Sequence, residues 1–174
     1  MLLNNYVSQQ NYADEHNDIF DKDYFFCITD RTQEDVDRVR YLTDALLAGT
    51  ATEMEYLEFL NNMRGALNYS DLNRIEKNLN TLAALLGITL VSMERATIPR
   101  VPYYNNLLLN VGKIRDTAYR LPNTPLVPNR PLNTYTKIND IEKILRDAYV
   151  MYRRNEGNFS YCGDGMYAGN DMLL

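Results

Sequence analysis

Apolar residues recur at spacings of three and four over five stretches of the chain, the signature of amphipathic helices rather than strands. The first begins at Thr32, where Thr32 and Asp35 form a capping-box-like start, and continues through Val36, Val39, Leu42 and Leu46 to a stop at Gly49. A short second helix is capped by Thr50 or Thr52 through Glu53 or Glu55, carries Tyr56, Leu57, Phe59 and Leu60, and has Gly65 beyond its end. The third runs over 68–86 with Leu72, Ile75, Leu79, Leu82 and Leu86 as its seam, and Gly87 closes it. A fourth over 104–121 has Leu107, Val111, Ile114, Ala118 and Leu121 as its stripe, weakened at Gly112. The fifth, over 135–154, repeats the third helix's spacing with Ile138, Ile141, Leu145, Ala148 and Tyr152. Such narrow seams predict coiled-coil-like packing.

The third and fifth helices are related by an offset of 66: Tyr69, Asn73, Ile75, Glu76, Lys77 and Leu79 recur as Tyr135, Asn139, Ile141, Glu142, Lys143 and Leu145. Two copies of one supersecondary unit are predicted, with the fourth helix as a bridge. Pro122, Pro125, Pro128 and Pro131 recur every three residues, the period of a polyproline II helix, and predict a stiff strap that holds the two units apart. Residues 1–31 are polar, rich in Tyr and Asn and without a steady period, which predicts an extended arm ordered by a neighbour. Residues 157–174 repeat Tyr-small-Gly-Asp/Asn at Tyr161 and Tyr167 and predict a short β-like tail. The expected organisation is thus an arm (1–31), a helical unit (32–98), a bridging helix with strap (99–132), a long helix (133–156) and the tail (157–174) of a mainly α protein.

Charge and composition narrow the partners. With 18 basic and 23 acidic residues among 174, the chain has a net charge of −5, which disfavours nucleic acid and anionic membranes. No apolar run approaches the ~20 residues of a membrane span, and the opening MLLNNYVSQQ does not read as a secretory signal, so export by the usual route is not expected. Cys27 and Cys162, without CxxC spacing, suit reduced thiols. Fourteen tyrosines and twenty asparagines supply amphipathic, hydrogen-bonding surface of the kind found in packed interfaces.

Candidate chemistry is sparse. His16, the sole histidine, lies among acidic residues of the arm and reads as a solvated side chain. Asp14, Glu15, Asp18, Asp21 and Asp23 break the EF-hand order, so no metal or other cofactor is expected. Glu76 and Glu142 could form a paired-carboxylate site only by facing one pocket; each is followed by Lys and reads as exposed helix charge. Asn73 and Asn139 suit helix capping, with recognition of a neighbour as the alternative. No phosphate-binding glycine loop and no nucleophile elbow is present, and the PxxP ridge reads as structural. The surfaces that remain predict assembly: Leu72, Ile75, Leu79, Leu82, Leu86, Ile138, Ile141, Leu145, Tyr152, Tyr161 and Tyr167 as an interface, with the four strap prolines holding its geometry.

Several segments resemble a known group: Ile28-Thr29-Asp30-Arg31-Thr32 leading into 37–42, then 68–76 (NYSDLNRIE), then 131–135 with 139–145 (NDIEKIL), and the closing Tyr161-Cys162-Gly163 and Tyr167-Ala168-Gly169. In these stretches the chain is similar to small structural proteins encoded among the tail and baseplate genes of phages and prophages of Gram-positive bacteria. Phe59 and Ile138 stand near positions where such proteins often carry Trp. The resemblance implies a non-enzymatic virion component of the tail, baseplate or receptor-binding apparatus, made in the host cytoplasm, forming a homo-oligomer and wrapping other virion proteins. The alternative is a cytoplasmic binding module, such as a tail-assembly chaperone or host-directed adaptor.

Overall fold

The computed structural model describes residues 25–61 and 63–164, with the backbone alone over 157–164. Five helices occur among the described residues: α1 (Gln33–Leu47), α2 (Glu53–Leu60), α3 (Tyr69–Leu86), α4 (Val101–Thr117) and α5 (Tyr135–Asp164). The protein is mainly α, and no strand occurs among the described residues. Local chemistry sets most helix starts. Thr32 and Asp35 form a reciprocal capping box, the Thr32 N–H donating to Asp35 Oδ2 at 2.8 Å, and Thr52 and Glu55 do the same for α2 at 2.9 Å. At α3 the Asn68 N–H donates to Asp71 Oδ2 at 2.9 Å. Gly87 ends α3 in the left-handed conformation, φ +66°, that a Cβ would oppose.

Two boundaries differ from those expected. Helix α4 starts three residues earlier, because Pro102 sits in its first turn, where a missing N–H costs nothing, and it stops at Thr117. Leu121, the expected end, precedes Pro122, a position where helical backbone is disfavoured. Helix α5 continues past 154 to Asp164, so residues 157–164, expected to be β-like, are helical; one interior Gly157, at a cost of about 1 kcal/mol, does not stop it. The rest of the expected tail, Tyr167 included, and residues 1–24 lie outside the described residues.

Helices α3, α4 and α5 pack on one another around a single core. Ile75, Leu79 and Leu82 of α3, Leu107, Val111 and Ile114 of α4, and Ile141, Ile144 and Leu145 of α5 are fully buried in it. This corrects the assignment of the seams to an assembly interface: Leu72, Ile75, Leu79, Leu82, Ile138, Ile141 and Leu145 are interior side chains of one subunit, and Leu86 packs at the core's edge. A three-four seam requires apolar partners, and here the chain itself supplies them. Tyr152 is half-buried, and the Tyr161 side chain lies outside the described residues.

The strap is also reassigned. Rather than separating two units, it turns at Leu121–Thr124 and runs back along α4: the Arg115 Nε–H donates to the Pro125 carbonyl at 2.7 Å, and Val127 lies against Gly112. The Thr124 hydroxyl donates to Asp147 of α5 at 2.8 Å, and Lys137 reaches the Pro131 carbonyl at 2.7 Å. Pro125 and Pro128 are half-buried, while Pro122 and Pro131 are exposed, and the Arg130–Pro131 bond is cis. Once α3, α4 and α5 share a core, a spacer has nothing to hold apart.

The α1–α2 hairpin packs chiefly on itself. It is held to the chain by Gly65, whose Cα presses on the first turn of α1 so closely that an added Cβ would lie 2.1 Å from the Asp35 carbonyl oxygen. Because that neighbour is backbone, Gly65→Ala is expected to force the hairpin away and to cost about 1–3 kcal/mol. Chemical denaturation compared with wild type checks this; unchanged stability would mean that the contact is not tight.

Candidate functional site

The most concentrated chemistry lies where residues 25–31 cross α3 and α5. Glu142, expected on the surface, is fully buried. Its Oε2 accepts from the Ile28 N–H at 2.6 Å and from Arg74 Nε at 3.0 Å, and its Oε1 from Arg31 at 2.8 Å and Arg74 at 2.7 Å. Asp71 accepts from the same two arginines, Arg31 at 3.0 Å and Arg74 at 2.5 Å. Two guanidinium groups and two carboxylates thus form a neutral, mutually bonded quartet in which Arg31 and Glu142 have 3% and 0% of their side-chain surface exposed. Charges removed from water require this degree of pairing.

The crossing segment is fastened along its length. Phe25 stacks on Tyr149 with ring centroids 4.2 Å apart, and Asn78 Nδ2 donates to the Phe26 carbonyl at 2.7 Å and contacts Cys27 Sγ at 3.3 Å. Arg146 reaches the Thr29 hydroxyl at 2.9 Å. Asn139 bonds the Arg31 backbone twice, accepting from its N–H at 3.4 Å and donating to its carbonyl at 2.9 Å. Asn139 therefore clips an extended segment to the bundle rather than capping a helix, and residues 25–31 of the expected arm are ordered by the chain's own helices. Asn110 makes the same two-point clip to Val91, both bonds 2.8 Å, and fixes the irregular segment between α3 and α4.

The electrostatics follow from burial opposed by pairing. Burial alone would raise the Asp71 carboxyl, but the Asn68 N–H, Arg74 and Arg31 outweigh it and hold the group below the usual carboxylate range. Burial likewise works against the Arg74 charge, and the bonds and charges of Glu142 and Asp71 more than reverse this, so its guanidinium stays charged. Burial beside the Glu142 carboxylate pushes the Cys27 thiol well above its ordinary value, despite Arg146 and Arg74, which makes it a poor nucleophile.

The internal repeat reappears as a repeated arginine clamp. Asn139 and Glu142, three residues apart, hold Arg31 through one guanidinium nitrogen each, at 3.3 and 2.8 Å. Asn73 and Glu76, their counterparts 66 residues earlier, hold Arg95: its NH2 donates to Asn73 Oδ1, and its NH1 lies 3.4 Å from Glu76. Arg95 also lies over the Tyr69 ring at 4.0 Å, and the Tyr103 hydroxyl donates to Glu76. The second clamp is shallower, with Glu76 24% exposed. Glu76 and Glu142 do not share a pocket; each is engaged by an arginine.

A helical wheel contains the signal that reveals the buried polar groups. Glu142 lies four residues after Ile138 and three before Leu145, Asn78 three after Ile75, and Asn110 three after Leu107, so all fall within apolar stripes. Arg31 and Arg74 carry no comparable signal. No metal-ligating cluster occurs among the described residues.

Two measurements test this site. Arg31→Ala and Glu142→Ala should each cost about 3–5 kcal/mol, since each strands a buried charge, and their double-mutant cycle should show coupling well above the ~1 kcal/mol ceiling of the exposed Arg38–Glu58 pair. Additive losses would deny the pairing. The depressed Asp71 carboxyl favours the fold when ionised: that contribution is fully present above its unfolded value near ~3.9 and is lost as pH falls through the lower folded value. Stability should therefore decline on the acid side, and less steeply in Asp71→Asn; parallel acid limbs would contradict this.

No protein-family model matches the chain, and neither a curated protein nor a solved structure proves similar to it, so this buried clamp is interpreted on its own geometry.

Proposed function

We propose that this chain is a non-enzymatic structural component of a phage tail, baseplate or receptor-binding apparatus that acts by docking on neighbouring proteins. The observation that carries this reading is the orientation of α2, none of whose eight residues is buried. Its polar side faces its own subunit: Arg38 of α1 bonds Glu58 at 2.9 and 2.6 Å, and the Tyr41 hydroxyl bonds Glu55 at 2.9 Å. Its apolar side faces outward, with Met54 75%, Leu57 48% and Leu60 60% exposed at spacings of three. A helix turned inside out in this way has its natural complement in another protein.

Three further points support the reading. The segments that resemble tail and baseplate proteins, 28–32, 68–76 and 139–145, contain Arg31, Asp71, Arg74, Asn139 and Glu142, which hold the fold together. The carboxylates best placed for acid–base work are engaged by arginines. The seams of α3 and α5 are buried in the subunit's own core, which leaves exposed apolar side chains such as those of α2 for a neighbour.

Mass spectrometry of purified particles from the phage or induced prophage that encodes the chain tests the assignment. Recovery at fixed stoichiometry through successive purification steps is expected. Presence in infected cells together with loss from mature particles would overturn it in favour of an assembly chaperone or adaptor.

A further inference from the structure

Two surfaces of the protein carry opposite net charge. Residues 32–61, the α1–α2 hairpin, hold seven carboxylates and two arginines, a net −5. Residues 98–134, which lead into α4 and include it and the returning strap, hold five basic residues against one acidic, a net +4. Asp44 and Glu53 are exposed on the first surface, Arg100 and Arg130 on the second.

Both surfaces are also apolar. The hairpin exposes Leu47, Met54, Tyr56, Leu57 and Leu60, and the second surface exposes Ile98, Val101, Leu109, Tyr119 and Leu126, at exposures between 48% and 83%. On α4, Val101 and Leu109 lie away from the buried stripe of Leu107, Val111 and Ile114, and the bond from Arg115 to the Pro125 carbonyl and the contact of Gly112 with Val127 set the strap antiparallel to α4, so that Leu126 returns along that helix. Five such side chains leave on the order of 500 Å² of apolar area, taking ~200 Å² for a large side chain. That matches the apolar share of a ~800 Å² footprint per partner in a stable complex.

We propose that the hairpin of one copy docks on the α4–strap face of a second copy, joining copies head to tail. Charge decides the occupant and the symmetry. Pairing the hairpin with itself would oppose −5 to −5 and pairing the α4–strap face with itself would oppose +4 to +4, whereas pairing the two brings opposite charge around apolar centres. Because the two surfaces differ, the contact is heterologous and repeats until it closes a ring or extends a filament. The inference rests on the preceding reading only in taking the chain to work by assembly.

The test uses the full-length chain and sedimentation velocity. Wild type should self-associate with rising concentration, and raising salt from about 50 to 500 mM should weaken the association roughly tenfold. Two variants each disable one surface: D44K/E53K/L57S on the hairpin and R100E/R130E/L126S on the α4–strap face. Each should be monomeric alone with wild-type helical circular dichroism, and an equimolar mixture should form a 1:1 dimer that grows no further, since each variant retains one intact surface. Should a triple variant fail to fold, Leu57→Ser and Leu126→Ser alone provide the same pair with a milder effect, expected to be at least tenfold in dissociation constant. A wild-type chain that stays monomeric, a single variant that still dimerises like wild type, or a mixture that stays monomeric would each overturn the proposal. A monomeric chain recovered from particles would overturn it while leaving the virion assignment standing, and a self-associating chain absent from particles would do the reverse.

Discussion

A carboxylate with no exposed surface, Glu142, ties together parts of the chain that are distant in sequence. It draws in Arg31 from the segment before α1 and Arg74 from α3, and it accepts the Ile28 N–H, so residues 25–31, α3 and α5 meet at one group. Asp71 completes the neutral quartet and at the same time caps the start of α3. This arrangement constrains more than it stabilises. Replacing a buried ionic cluster with well-packed apolar side chains is often no worse for stability, but an apolar patch tolerates many placements of the crossing segment, whereas this donor–acceptor set is satisfied in very few.

Fixing the crossing segment has consequences elsewhere. With Phe25 stacked on Tyr149 and the Arg31 backbone clipped by Asn139, Thr32 emerges in position to cap α1. The hairpin is therefore presented from a defined base, braced by Gly65 against its first turn and by the Asp30–Arg64 ion pair. On the other side of the bundle, Asn110 fixes the segment before α4, and Asp147 and Arg115 fasten the strap that follows it. Asn139 and Asn110 act as two-point clips because one amide offers both a donor and an acceptor and so imitates the edge of a strand, while Asn78 and Asn106 each donate to one backbone carbonyl. The abundance of Asn in the composition thus finds an internal use, holding irregular backbone onto helices.

The two halves of the repeat have diverged in depth rather than in plan. Asn139 with Glu142 and Asn73 with Glu76 each grasp one arginine, yet the first clamp is interior and the second half-open. The difference lies in what covers them. The crossing segment lies over the first, whereas Tyr69 and Tyr103 shield only part of the second. A motif repeated in sequence therefore contributes a structural anchor in one place and a shallower brace in the other.

Periodicity, capping residues and left-handed glycines are local, and they determined most of the helix ends: the box at Thr32, the start at Asn68 and the stop at Gly87 stand where the sequence places them, and the box at Thr52 with Glu55 is one of the two starts the sequence allows for α2. The seams were legible as apolar stripes for the same reason. Whether those stripes would meet a partner chain or one another is not local, and only the tertiary structure decided it, by packing α3, α4 and α5 into one core and folding the proline strap back along α4. The burial of Glu142 belongs to the same class. Its place within the stripe could be read from the sequence, but whether a carboxylate there is tolerable depends on Arg31 and Arg74, 111 and 68 residues away, whose guanidinium groups reach it only once the chain has closed.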